Sequence, residues 1–198
     1  MTPELRAIAD RLIYEQATLK HMVALAPEDA MRRPAGDGTA GETFGHLAAG
    51  MSACAAALER WLAGGGPLVL GNGCELATSS TDPLPGATRL DVTRALGSGL
   101  VSLVAALGRV PDAHLEPGAD GVNALDALRG FGEHATGHAI ELIEALPEVR
   151  MDPLVLNWVL AADFADAKSQ AWQRSLFEEV QEHLASLPDE ELDVEDEE

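Results

Sequence analysis

Apolar residues recur every three to four positions along most of the chain, and residues that start or stop helices stand between the runs. Leu5, Ile8, Leu12, Leu19 and Val23 line one face of a first helix. Thr2 can cap it, Pro3 suits its first position, and Pro27 and Pro34 close the segment. Gln16 falls on that apolar stripe, so it either hydrogen-bonds a neighbouring helix or marks a polar pocket among the helices. His21 points the opposite way. A second helix opens at Thr39-Ala40-Gly41-Glu42, a capping-box pattern, and carries Phe44, Leu47, Met51, Cys54, Leu58, Trp61 and Leu62 on its apolar face. Gly64-Gly65-Gly66-Pro67 stops it.

Residues 64–88 are rich in Gly, Pro, Ser and Thr and form a long connection, either a cover over a site or a flexible segment. Their glycines lack the Lys-Ser/Thr that a phosphate-binding loop requires. The periodicity predicts a third helix from about Asp91 to Gly108, through Val92, Leu96, Leu100, Leu103, Val104 and Leu107. A fourth helix is expected from a cap at Asn123 to Pro147, and a final helical region from Pro153 to Leu187, broken near Asp163. No run alternates as a strand would. The predicted architecture is all-α: an antiparallel four-helix bundle with an additional C-terminal helix, over residues 1–187.

Composition supports helices. Of the 198 residues 46% are hydrophobic but only 4% aromatic, so the core must rest on Leu, Ala and Val. The charge, 13 basic residues against 33 acidic, is −20, which argues against a nucleic-acid partner because such a module needs a basic footprint. Eight of those acids crowd into residues 189–198, so 188–198 is read as a self-repelling, disordered acidic tail, and its removal leaves the body at −12. No apolar run is seen to reach the roughly 18 residues of a membrane span, and no basic-then-apolar leader opens the chain. Cys54 and Cys74 are too few for a disulfide framework. These features predict a cytoplasmic protein with no membrane partner.

Candidate chemistry centres on histidine. His134 and His138 stand four apart in Glu133-His134-Ala135-Thr136-Gly137-His138, which on a helix puts both imidazoles on one face, as two ligands of one metal ion require. The spacing alone is a weak signal. Phe131, Ala135, Ala139, Leu142 and Leu146 define the buried side, with His138 on its edge and His134 just beyond. Gly130, Gly132 and Gly137 on the same helix suggest that close approach or open space matters there; the plainer alternative is a frayed helix start with solvated histidines. His46 lies early in the second helix on a flank of small residues, Gly50, Ala53 and Ala57, and either supplies a third ligand or serves as a hydrogen-bonded structural histidine. His183 is a reserve ligand, His114 and His21 read as surface residues, and Cys54 as a small core hydrophobe. Cys74 has no basic neighbour that would activate it.

These residues resemble the DinB/YfiT-like superfamily of metal-binding helical bundles, which includes the metal-binding domain of mycothiol-dependent maleylpyruvate isomerases. Its members place a histidine early in the second helix after a segment like Trp-Ser-Val-x-Glu-Leu-Leu-x-His-Leu. Here that segment reads Gly38-Thr39-Ala40-Gly41-Glu42-Thr43-Phe44-Gly45-His46-Leu47, with Gly38 in place of the tryptophan. The family's other two ligands lie four apart on a later helix, as His134 and His138 do. The isomerase branch carries an acid three residues after the second, where this chain has Glu141. The Arg-Gly-Gln that often follows in DinB-type members is absent, and the chain is short for the isomerases' additional C-terminal domain. The resemblance runs over roughly residues 3 to 187.

The resemblance implies a divalent metal ion, zinc or nickel, held by His46, His134 and His138 at one end of the bundle, with Glu133 or Glu141 orienting a ligand. It also implies a metal-dependent enzyme of the small-thiol S-transferase or isomerase type, with a low-molecular-weight thiol as cosubstrate, a small-molecule substrate and a homodimeric state. The alternatives are a metal-dependent hydrolase, a non-catalytic metal- or ligand-binding stress-response protein, and a helical interaction module whose histidines are incidental.

Overall fold

The computed structural model describes residues 2–64, 68, 88–111 and 124–186. The acidic tail, Cys74, His114, the expected cap at Asn123 and most of the 64–88 connection lie outside the described residues. The described chain is mostly helical.

Helix α1 spans Pro3–Leu25, with the Thr2 hydroxyl accepting the Leu5 N–H and Pro3 in its first turn. Leu5, Ile8, Leu12, Leu19 and Val23 are buried as the periodicity predicts. Two polar residues that the stripe did not announce as core, Glu15 and Thr18, are buried too, along with Gln16. A 3-10 turn, Glu28–Arg32, follows. The chain then forms a small antiparallel hairpin, β1 (Pro34–Ala35) and β2 (Gly38–Thr39), pairing Pro34 with Thr39 and Ala35 with Gly38. This corrects the expectation of no strand: two residues per strand are too few to leave an alternating pattern.

Helix α2, Ala40–Leu62, begins with the predicted capping box. The Glu42 N–H reaches the Thr39 hydroxyl at 3.3 Å, and the Thr39 N–H reaches Glu42 Oε2 at 2.8 Å. Helix α3, Arg89–Leu107, starts two residues before the predicted point because Thr88 and Asp91 form a second capping box. Helix α4 spans Ala124–Ala145 and ends before Pro147. The final helical region is divided, as expected near Asp163, into α5 (Pro153–Leu160) and α6 (Ala167–Ser186). Asp152 caps α5 by accepting from the N–H groups of Leu154 and Val155.

Helices α1 to α4 pack on one another around a shared apolar cluster that includes Phe44, Leu58, Leu96 and Leu142. Their directions depart from the antiparallel expectation. A Cβ on Gly99 of α3 would meet Ala48 and Met51 of α2, and Arg109, just past α3, pairs with Glu59 near the end of α2. The two helices therefore run the same way. A parallel neighbour cannot be reached by a short turn, because the end of α2 and the start of α3 lie at opposite ends of the pair. By contrast, α1 and α3 are antiparallel, with Arg89 donating to the Ala26 carbonyl at 2.6 Å and Gly97 beside Lys20.

One further expectation needs correction. Arg89–Leu107 is long and apolar enough to cross a membrane by length and composition, with a mean hydropathy of 1.4 over its best window. A third of that window is buried in this fold, and the helix packs along α1 and α2.

Candidate metal centre

His46 sits two turns into α2, half-buried between Gly45 and Leu47, where the Thr39–Glu42 capping box fixes the helix start. His134 and His138, also half-buried, lie one turn apart on α4. Packing α2 against α4 brings the three together. Their ligand atoms lie within 4.8 Å of one another, so among the described residues they form a group that could hold a metal ion. His46 Nε2 and His134 Nε2 are 2.9 Å apart, and the rings stand edge to face with centroids 4.6 to 5.1 Å apart. Zinc–nitrogen bonds of about 2.0–2.1 Å put the donors of one ion roughly 3–4 Å apart, so these separations fit after small side-chain rotations.

The protonation pattern also fits. Burial lowers the His134 pKa to about 4, helped by repulsion from a proton on His138 or His46. His46 is lowered by burial and by His138, with Glu141 opposing. Both rings are therefore neutral at pH 7 and offer lone pairs. In the 2.9 Å contact one Nε2 must carry a proton, so loading a cation there requires that proton to leave or move to Nδ1.

Glu141 completes the arrangement. Its Oε2 accepts a hydrogen bond from His138 Nδ1 at 2.7 Å. A carboxylate can only accept, so Nδ1 carries the proton and Nε2 is left as the donor atom for a cation. Of the two glutamates singled out in the sequence, Glu141 is the one on a ligand; Glu133 is exposed on the helix.

The glycine argument holds only in part. Gly132 is buried, and a Cβ there would lie 3.6 Å from Glu15 Oε2, so this glycine faces α1 rather than the histidines. Nothing described lies within 4 Å of a Cβ on Gly130 or Gly137, so no close approach explains them. The remaining candidates lie elsewhere. His21 Nε2 is 2.9 Å from Asp152 Oδ2, joining α1 to the cap of α5. Burial would raise the Asp152 carboxyl, but His21 and the two capping N–H groups hold it below its ordinary value. His183 is exposed on α6, outside the histidine group. Burial pushes the Cys54 thiol up to about 12, in keeping with a core hydrophobe rather than a nucleophile.

Comparison with known protein families, characterised proteins and solved structures finds no match for this chain.

Proposed function

We propose that the chain binds one divalent transition-metal ion, zinc or nickel, through His46, His134 and His138. The single observation that carries this reading is the meeting of three imidazole donors from α2 and α4, 88 residues apart in sequence, with the third ring oriented by a carboxylate. The helical architecture and the residues around His46 support a DinB/YfiT-like assignment, a four-helix bundle extended by C-terminal helices. That assignment makes the protein a metal-dependent enzyme of the small-thiol S-transferase or isomerase type. When bound, an ion held by three neutral ligands supplies Lewis acidity and favours the thiolate over the thiol of a coordinated cosubstrate.

The residues have separate tasks. His46 and His134, kept neutral by burial, present no positive charge to an incoming cation. Glu141 fixes the tautomer of His138 and contributes one negative charge beside the site. A hydrolase would need a carboxylate free to reach a water, and Glu141 is engaged by His138.

Elemental mass spectrometry on untagged protein tests the site. The parent should carry about one equivalent of metal and the His134→Ala variant almost none. Metal-free parent after incubation with zinc and nickel would sink the proposal. With the metal established, turnover of an electrophile that depends on an added small thiol separates the enzyme from a binding protein, which would hold metal without any thiol effect.

A further inference from the structure

We propose that Gly36, at the turn of the β1–β2 hairpin, is a positioning residue of the three-histidine site: its lack of a side chain leaves the Glu141 carboxylate the space in which it meets His138 Nδ1. The purpose rests on the metal-binding reading above, but the contact exists without an ion.

Gly36 has φ +56°, and Asp37 beside it does not share a positive φ, the pattern of a type II′ hairpin turn. A Cβ added at Gly36 would stand 2.7 Å from Glu141 Oε2, 2.8 Å from Cδ and 2.9 Å from Oε1. No real contact is that short, so something must give. The clashing atoms are the end of a flexible side chain that is 39% exposed, so the carboxylate swings out before helix or hairpin moves. Oε2, the nearest of them, is the atom that takes the His138 Nδ1 hydrogen bond.

The hairpin is itself held in place. Its strands pair with each other, the Ala40 N–H donates to the Arg33 carbonyl at 2.9 Å, and Arg33 donates to Glu148 Oε2 at 2.8 Å, just beyond α4. The turn is thus fixed against the helix that carries Glu141. One short loop, which supplies none of the three histidines, sets which nitrogen of His138 carries the proton and which is free.

Nitrogen-15 NMR of the histidine rings at pH 8, on metal-free protein, reads that tautomer directly. The parent should show His138 as the Nδ1–H form. Gly36→Ala should shift it toward Nε2–H, as should Glu141→Ala, and the double variant should go no further. Gly64→Ala is the control: it carries a comparable φ of +78° with nothing described within 4 Å, and should leave the tautomer alone. Zinc affinity, from competition with a chromophoric chelator, should fall about 10- to 100-fold in Glu141→Ala and in Gly36→Ala. The double variant should bind no more weakly than Glu141→Ala. Circular dichroism checks that each variant keeps its helices. A parent-like tautomer in Gly36→Ala, or zinc losses that multiply in the double variant, would overturn the proposal. A parent that binds no zinc but shows the tautomer shift would overturn the metal reading alone and still support the contact.

Discussion

The three-histidine group between α2 and α4 and the Arg11–Glu15–Trp158 cluster between α1 and α5 both bring polar atoms together between packed helices, but the atoms differ in kind. In the histidine group the atoms that converge are lone-pair donors, and the one carboxylate is spent on orienting a ring. In the second cluster Glu15, 2% exposed, accepts from Arg11 Nε at 2.7 Å. Trp158 lies beside it and favours its ionised form, yet Glu15 Oε2 and Trp158 Nε1 reach no partner at hydrogen-bond geometry. One cluster gathers atoms that can bind a cation; the other already holds its cation, Arg11. Burial alone therefore does not mark a functional site. What distinguishes one is the chemistry of the atoms that converge there.

The largest expected effect separates the two regions by ligand. Zinc at about a thousand times its dissociation constant should stabilise the folded chain by about 4 kcal/mol, read as a rise in Tm. His46→Ala should abolish that increment, and Glu15→Ala should leave it intact. A zinc increment that survives in His46→Ala would place the ion elsewhere and dissolve the contrast.

Metal-free stability should divide them the other way. Glu15→Ala removes a buried side chain and the partner of Arg11, and should cost about 2 kcal/mol in urea denaturation. Half of Arg11 stays in water, which keeps the loss below that of breaking a fully buried ion pair. His46→Ala should cost less than about 1 kcal/mol, because a half-buried ring with one hydrogen bond to another half-buried ring contributes little without an ion. Equal losses would show that both clusters serve packing.

Acid sharpens the comparison because the two clusters respond with opposite sign. An unfolded histidine takes up its proton near 6.5, whereas folded His134 resists until about 4, so metal-free stability falls as pH drops across that window. Glu15 has its pKa raised by burial, more than Arg11 lowers it. The folded chain therefore binds that proton first, and this group favours folding as pH falls toward 4.5. His134→Asn should flatten the acid loss, by about 1 kcal/mol once partial exposure and ring coupling are allowed for, and Glu15→Gln should steepen it. Urea midpoints at pH 7 and pH 4.5 measure both slopes. Shifts of the same sign in the two variants would contradict the assignment.

What the sequence could reveal of these regions follows from how local each signal is. The helices were legible because their caps and stripes lie within a few residues: Thr2 with Pro3, and Thr39 with Glu42. His134 and His138 were legible for the same reason, and His46 joined them as a candidate from its flank of small residues, Gly50, Ala53 and Ala57. Choosing Glu141 over Glu133 took geometry, since both neighbour a histidine and only one hydrogen-bonds to it. Glu15 went unnoticed because a charged residue beside a stripe normally reads as solvated; the available signal was Arg11, four residues earlier. The hairpin was too short to carry a period. The parallel course of α2 and α3 was hidden because direction depends on a long connection rather than on either helix.

The smallest expected effect concerns Gly137, which sits between two of the three histidines and invited a functional reading. Helical glycine costs roughly 1 kcal/mol relative to alanine, so its presence asks for a reason. Close approach is not that reason among the described residues, because a Cβ at Gly137 meets nothing within 4 Å. Gly137→Ala should therefore stabilise the metal-free chain by about 0.5–1 kcal/mol and leave zinc affinity within twofold of the parent. Gly36→Ala, whose Cβ would strike Glu141, should do the reverse on both measures. The pair isolates what matters about a glycine near the site, which is what its missing Cβ would touch rather than how close it stands to a ligand in sequence. A loss of zinc affinity in Gly137→Ala would mean that the open face of α4 is itself occupied when the site is loaded.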